Sequence, residues 1–250
     1  MSSESSSSCK EIIVLSWDIG EKNFAYCKSK FRLADIQSLK GQNIPFKQRY
    51  DTNGECLPKF TKLLETISMV GERVIVGKCD ITRPDDKKIG KRRIITNRIL
   101  SRLTNYLEDL NQAGIYDDVD YFLIEEQMGV ASNNQQLQHH LRGYLISLVL
   151  NFRPIIMFPS KYKTQIMGAP KKLWNEKKNK LTKMSYSQRK KFSRDRVSQI
   201  LQYRGDTTGL EDIFVKKRYG PPADVSDCFL QNEAFFYLVF IDEKRDILDC

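Results

Sequence analysis

EIIVLSWDIGEKNFAYCK, residues 11–28, is the stretch that decides the fold. Its first seven residues form a near-continuous apolar, β-branched run, the pattern of a strand covered on both faces and so central in a sheet. The run stops at Asp18, Gly20 marks a tight turn, and residues 23–28 resume as a second strand. The stretch therefore predicts a β-hairpin with a carboxylate beside its turn. Alone, Asp18 reads as a turn-forming residue ahead of a glycine.

Outward from the hairpin, residues 38–60 carry turn and loop signals (Gly41, Pro45, Asn53-Gly54, Pro58), followed by a short helix over 59–69. Residues 72–82 read as a third strand. Pro84-Asp85-Asp86 breaks the chain before a long amphipathic helix whose stripe is Ile95, Ile99, Leu103, Leu107 and Leu110. Residues 119–125 form the next strand, which ends at Glu125-Glu126-Gln127. Ser132-Asn133-Asn134 supplies an N-cap region for a helix to about residue 151, lined by Leu137, Leu141, Tyr144, Leu145, Leu148 and Val149. Residues 154–158 make a short strand, and Pro159-Ser160 leads to a short helix. A helix begins inside the basic run 170–196 and continues through Val197, Ile200 and Leu201. Residues 205–220 are loop-rich, and Pro221-Pro222 introduces a very apolar last helix. No internal repeat is visible. This order predicts a mixed α/β fold, antiparallel at first and then built from βαβ crossovers.

A chain of 250 residues can bury a sizeable core. Its formal charge of +10 points to a polyanionic partner, nucleic acid or an anionic membrane face. There is no apolar run of transmembrane length, so no membrane span is expected. Residues 1–10 lack the apolar region of a signal peptide and the Arg-rich character of a transit peptide, and are expected to be a disordered leader. The remainder, 11–250, is expected to be one domain, cytoplasmic or nuclear rather than mitochondrial. The six cysteines are scattered, with no C-x-x-C pair and no histidine at zinc-ligand spacing, which suits reduced thiols.

Two further acids qualify the bland reading of Asp18. Asp224 and Asp227, three apart at the start of the last helix, share one helix face. Dipole chemistry at a helix N-terminus accounts for Asp224 better than for Asp227, which leads into the large apolar residues. In open α/β sheets ligands gather at strand ends, so Asp18, Glu125 and this pair are expected to meet at one edge. Four carboxylates converging in a basic protein repel one another unless divalent cations neutralise them. Hard oxygen donors favour Mg²⁺ or Mn²⁺, and two such ions roughly 3.5–4 Å apart suit phosphodiester hydrolysis.

The same residues carry a family resemblance. The D-x-G strand end in LSWDIGEKNFAYC, the E-x-Q of LIEEQ and the D-x-x-D of ADVSD resemble the RuvC-like Holliday junction resolvases, with most likeness to the poxvirus and fungal mitochondrial ones. The resemblance runs in order from about residue 12 to 240. It implies an RNase H-like mixed sheet flanked by helices, a homodimer, and paired symmetric nicking of four-way DNA junctions that leaves 5′-phosphate ends. By position it makes Asp18, Glu125, Asp224 and Asp227 the ligands of two Mg²⁺ or Mn²⁺. PSKYKTQIMG resembles the segment that brings a lysine to the active site, Lys163. YSQRKKFSRDR resembles the segment that carries a second, either Lys190 or Lys191. Residues 32–71 and 171–185 look like insertions.

The run 170–196 mixes Trp174, Tyr186 and Phe192 with lysines and arginines, which suits phosphate contacts and stacking on unpaired bases. A solvated charged loop is the plainer alternative. The candidate DNA contacts are Lys171, Lys172, Trp174, Arg189, Lys190 and Arg194, with Arg92 and Arg93 extending the positive surface. The helix 134–151 is apolar over more than a narrow stripe, which suits packing on both sheet and partner; His139 and His140 on it read as surface or interface residues rather than ligands. The expected function is a metal-dependent endonuclease that resolves four-way junctions. The alternatives are a ribonuclease H-type enzyme acting on RNA–DNA hybrids, since fold does not dictate substrate, and a junction-binding protein without catalysis.

Overall fold

The computed structural model describes residues 11–90, 92–127, 132–148, 153–244, 246 and 248. Residues 1–10, where a disordered leader was expected, Val149 and the side chain of Arg92 lie outside the described residues.

The strands are β1 (Glu11–Asp18), β2 (Phe24–Arg32), β3 (Glu72–Cys79), β4 (Lys88–Ile89), β5 (Arg92–Arg93), β6 (Tyr121–Glu126), β7 (Ile155–Pro159), β8 (Lys172–Asn175) and β9 (Lys180–Lys183). The helices are α1 (Leu33–Leu39), α2 (Pro58–Ser68), α3 (Asn97–Gln112), α4 (Ser132–Leu148), α5 (Tyr162–Gln165), α6 (Tyr186–Tyr203), α7 (Thr207–Leu210) and α8 (Ala223–Phe236), the last continued by a wider turn over Tyr237–Ile241.

Five strands form one sheet in the order β3-β2-β1-β6-β7. The β1–β2 and β2–β3 pairs are antiparallel, whereas β1–β6 and β6–β7 are parallel. This is the mixed sheet flanked by helices that the sequence led us to expect. The hairpin 11–28 supplies its two central antiparallel strands, and β1 lies in the middle, as its unbroken apolar run requires.

The two faces divide by alternation. Leu15, Trp17, Phe24, Tyr26, Phe122 and Ile124 pack with Ile99, Leu103 and Leu107 of α3 and Leu137, Leu141 and Leu145 of α4. Val14, Ala25, Cys27, Leu123, Ile156 and Phe158 face the other way, onto α8, α6 and α2. Helix α8 is buried along nearly its whole length, which explains why its sequence is apolar on all sides rather than striped.

Three elements depart from the sequence reading. Residues 33–39, to which the sequence reading gave no element, form α1, whose Ile36 and Leu39 are buried. The loop-rich 205–220 holds α7 and a wide turn over Glu211–Val215. The basic run contains a two-stranded antiparallel hairpin, β8–β9, before α6 begins at the Ser185 capping box.

Candidate active site

β1 and β6 are parallel neighbours, paired from Val14 with Tyr121 to Trp17 with Ile124. The next residue of each strand is Asp18 and Glu125. Because side chains alternate, Asp18 shares the face of Val14, and Glu125 that of Leu123, so both turn toward α8. The helix is stitched to β1 from below: Ser16 Oγ donates to Cys228 O at 2.8 Å, and the Asp18 amide to Cys228 Sγ at 3.1 Å. The first turn of α8 thereby brings Asp224 and Asp227 over the ends of the two strands.

Two lysines sit between the four acids. Lys163, on α5 after β7, donates to Glu125 Oε1 at 2.9 Å and lies 3.4 Å from Asp227 Oδ2. Lys190, on α6, reaches Asp227 Oδ2 at 2.5 Å, Asp224 Oδ1 at 3.1 Å and Asp18 Oδ2 at 3.4 Å. Of the two lysines that the motif left open, Lys190 enters the cluster, while Lys191 is exposed. A third ammonium, missed in the sequence, is that of Lys78 on β3, 3.4 Å from Asp224 Oδ2. Its only signal was a cation inside an otherwise β-branched strand.

The electrostatics follow from this crowding. Asp18 is pushed up to about 7, chiefly by burial and further by the neighbouring Glu125, against the pull of Lys163 and Lys190. For Glu125 burial also works upward, but the Lys163 ammonium and a hydrogen bond from Asp18 outweigh it and hold the group below its ordinary value. Burial works downward on Lys163 and Lys190, yet the surrounding carboxylates raise both. Three ammonium groups, those of Lys78, Lys163 and Lys190, face four carboxylates.

Gln127 of the E-x-Q motif has a positioning role. Its amide donates to Gln138 Oε1 at 2.7 Å, its side chain to Glu125 O at 3.4 Å, and Asn134 Nδ2 donates to its Oε1 at 3.3 Å. The motif thus ties the end of β6 to the start of α4. Glu126 points to solvent.

The cluster opens into a cavity of about 500 Å³ with Tyr186, Arg189 and Lys161 on its lining. Among the other candidate DNA contacts, Lys172 and Trp174 are exposed on β8, and Arg194 is half-buried. Lys171 lies over the rings of Phe46 and Tyr50. Arg93 is engaged inward with Glu21 and Asp86. His140 bonds Thr104 Oγ1 at 2.8 Å, and His139 is exposed.

The donor set suits a hard divalent cation, since every acid is a carboxylate and the cluster already holds cationic ammonium groups among them. In the arrangement as it stands, the lysines hold the acids apart: among the described residues no three carboxylate, histidine or cysteine side chains are drawn together closely enough to grip an ion.

No protein-family model matches the chain. Uncharacterized protein 170L of Invertebrate iridescent virus 6 is 27% identical over 252 residues, covering 94% of this chain and 92% of that protein. The fowlpox virus Holliday junction resolvase is a structural neighbour at 17% sequence identity, covering 91% of this chain and 99% of that one. The TM-score of that match is 0.44.

Proposed function

We propose that the chain is a divalent-metal-dependent DNA endonuclease that resolves four-way junctions by paired symmetric nicks. The observation that supports it most is the convergence of Asp18, Glu125, Asp224 and Asp227, from two strands and a helix distant in sequence, at the mouth of a cavity in a chain of charge +10. A structural cluster would match its charges one to one. A carboxylate surplus open to solvent suits the recruitment of cations.

In this reading the four acids hold two Mg²⁺ or Mn²⁺. Held by those acids, such ions would supply charge neutralisation for the phosphate and activation of a water for in-line attack. Lys163 and Lys190 set the spacing of the carboxylates and bring positive charge to the point where the phosphoryl oxygens become more negative. Arg189 and Lys161 at the cavity rim hold the flanking backbone phosphates. Cleavage leaves a 5′-phosphate and a 3′-hydroxyl. Two copies related by a two-fold axis, in contact through α4, would cut opposite strands of a junction symmetrically.

The test is a labelled four-way junction beside an uninterrupted duplex and an RNA–DNA hybrid, each with Mg²⁺, Mn²⁺ or EDTA. Symmetric, metal-dependent nicks in the junction, lost in Asp18→Asn, support the proposal. Cutting of the hybrid alone would transfer the activity to a ribonuclease H-type enzyme. A second reading, a junction binder without catalysis, is favoured by one observation: the Lys190 ammonium occupies the space among three of the acids and pairs with each. Tight junction binding with no cut under any metal would select it.

A further inference from the structure

Two stretches looked like insertions, 32–71 and 171–185, and the active site uses neither. They meet. The Lys171 amide donates to Gly54 O at 2.8 Å, and the Lys171 ammonium lies 4.8 Å and 4.6 Å from the ring centres of Phe46 and Tyr50. Gly54 has φ +85, and a Cβ there would fall 2.8 Å from Lys171 Cβ, so this close approach requires glycine. The bracing segment is itself anchored in the core. Arg49 pairs with Asp242 and lies over the rings of Phe60 and Tyr237.

What the brace holds is the β8–β9 hairpin. An isolated two-stranded hairpin is marginal in water, and this one breaks two local rules on its open face. Trp174 pairs directly with Leu181, both exposed, at 57% and 36%. Beside them Lys172 pairs directly with Lys183, like charges opposite each other, which is unfavourable. The other face is half-buried through Leu173 and Thr182. Six lysines and one glutamate lie in residues 171–183. An open tryptophan framed by lysines suits a ligand with flat apolar faces on an anionic backbone. A second copy of the hairpin would instead set lysines against lysines. The strand β9 ends three residues before Tyr186 at the cavity lining, so the arm's base lies within roughly 11 Å of chain from the site.

We infer that the two insertions form one device: a braced basic hairpin that stacks Trp174 on unpaired bases of branched DNA beside the active site. It rests on the DNA-processing function proposed above and assigns that site a substrate feature, nucleotides freed from pairing near the cut.

The protein reports on the idea directly. Of its two tryptophans, Trp17 is fully buried and stacked on Phe122, so a change in emission on adding DNA belongs to Trp174. The probes are an oligo-dT, a four-way junction and an uninterrupted duplex, titrated in EDTA so that none is cut. The oligo-dT and the junction quench the emission; the duplex binds through lysines without quenching. Trp174→Ala abolishes the response, weakens oligo-dT binding about tenfold, and leaves the melting temperature unchanged because the side chain is exposed. Gly54→Val, which disturbs the brace and not the hairpin sequence, reduces the quenching too. Equal quenching by the duplex overturns the inference. So does a change in particle mass for Trp174→Ala by light scattering, which would assign the face to a second copy. A junction that is bound and cut with the emission unmoved overturns the arm and spares the nuclease. Quenching by oligo-dT in a protein that cuts nothing does the reverse.

Discussion

Helix α8 carries two buried charge clusters, and they are built on opposite plans. At its start, Asp224 and Asp227 join Asp18 and Glu125 in a group with more carboxylates than ammonium groups, beside a cavity. Further along, Glu233 meets Arg204 in a two-pronged pair at 2.9 and 2.8 Å, with both side chains almost wholly enclosed. Arg204 also donates to Ser68 O at 2.9 Å and to Val70 O. The second cluster matches one charge with one charge and satisfies the remaining donors on backbone carbonyls. The first is unbalanced and open. A buried pair that is fully matched serves the fold, whereas a surplus of one sign at a cavity stores a demand for a ligand.

That contrast can be broken by exchanging the readouts. The largest effect is expected for Asp227→Asn, which should lower nuclease turnover about a thousandfold while changing thermal stability little, since the repulsion relieved among the acids offsets the lost pairing with Lys163 and Lys190. Single-turnover cleavage and a melting curve on the same sample check both halves. Glu233→Ala should do the opposite, costing about 3–5 kcal/mol in urea unfolding because the Arg204 guanidinium is left buried without its partner. A stable Glu233→Ala variant would remove the distinction between the clusters.

The lysines sharpen it. Lys190→Met should lower turnover about a hundredfold, and Lys191→Met should leave it within a few-fold, because only the first contacts the acids. Equal losses would mean that both act as general DNA contacts.

Stability also depends on pH through Asp18. Asp18 has an ordinary value of 3.8 and a folded value of about 7, so between those values the folded chain keeps a proton that the unfolded chain has lost. In EDTA, the stability contributed by Asp18 is fully present below about pH 4 and is lost as pH rises through about 7. Glu125, shifted downward by Lys163, acts in the opposite sense and only at lower pH. Asp18→Asn should therefore flatten the decline between pH 4 and 7, measured by urea unfolding across that window. An unchanged slope would show that the proton resides elsewhere.

The same contrast explains what the sequence could reveal. Asp18 and Glu125 were legible because each interrupts an apolar strand at its end, and their meeting follows once the two strands are parallel neighbours. Asp224 and Asp227 were legible through helical spacing. Lys78 was not, because a lysine inside a strand looks like an outward-facing residue until β3 is placed beside the start of α8. Arg93 looked like a surface cation and is instead held by Glu21 and Asp86. The β8–β9 hairpin was hidden because lysine-rich strands have low intrinsic β preference, and its base meets Gly54, a contact across more than a hundred residues. Glu233 was equally silent, since an acid within an apolar helix acquires a meaning only with Arg204 opposite.

We propose the acid surplus at the start of α8 as a cation site. Titrating the protein with Mn²⁺ and counting free ion by electron paramagnetic resonance tests it without any nucleic acid. Two bound ions per chain, lost in Asp227→Asn and retained in a Glu211→Gln control on the exposed surface, are the predicted result. No binding at millimolar Mn²⁺, with Lys190 still paired to the carboxylates, would contradict it.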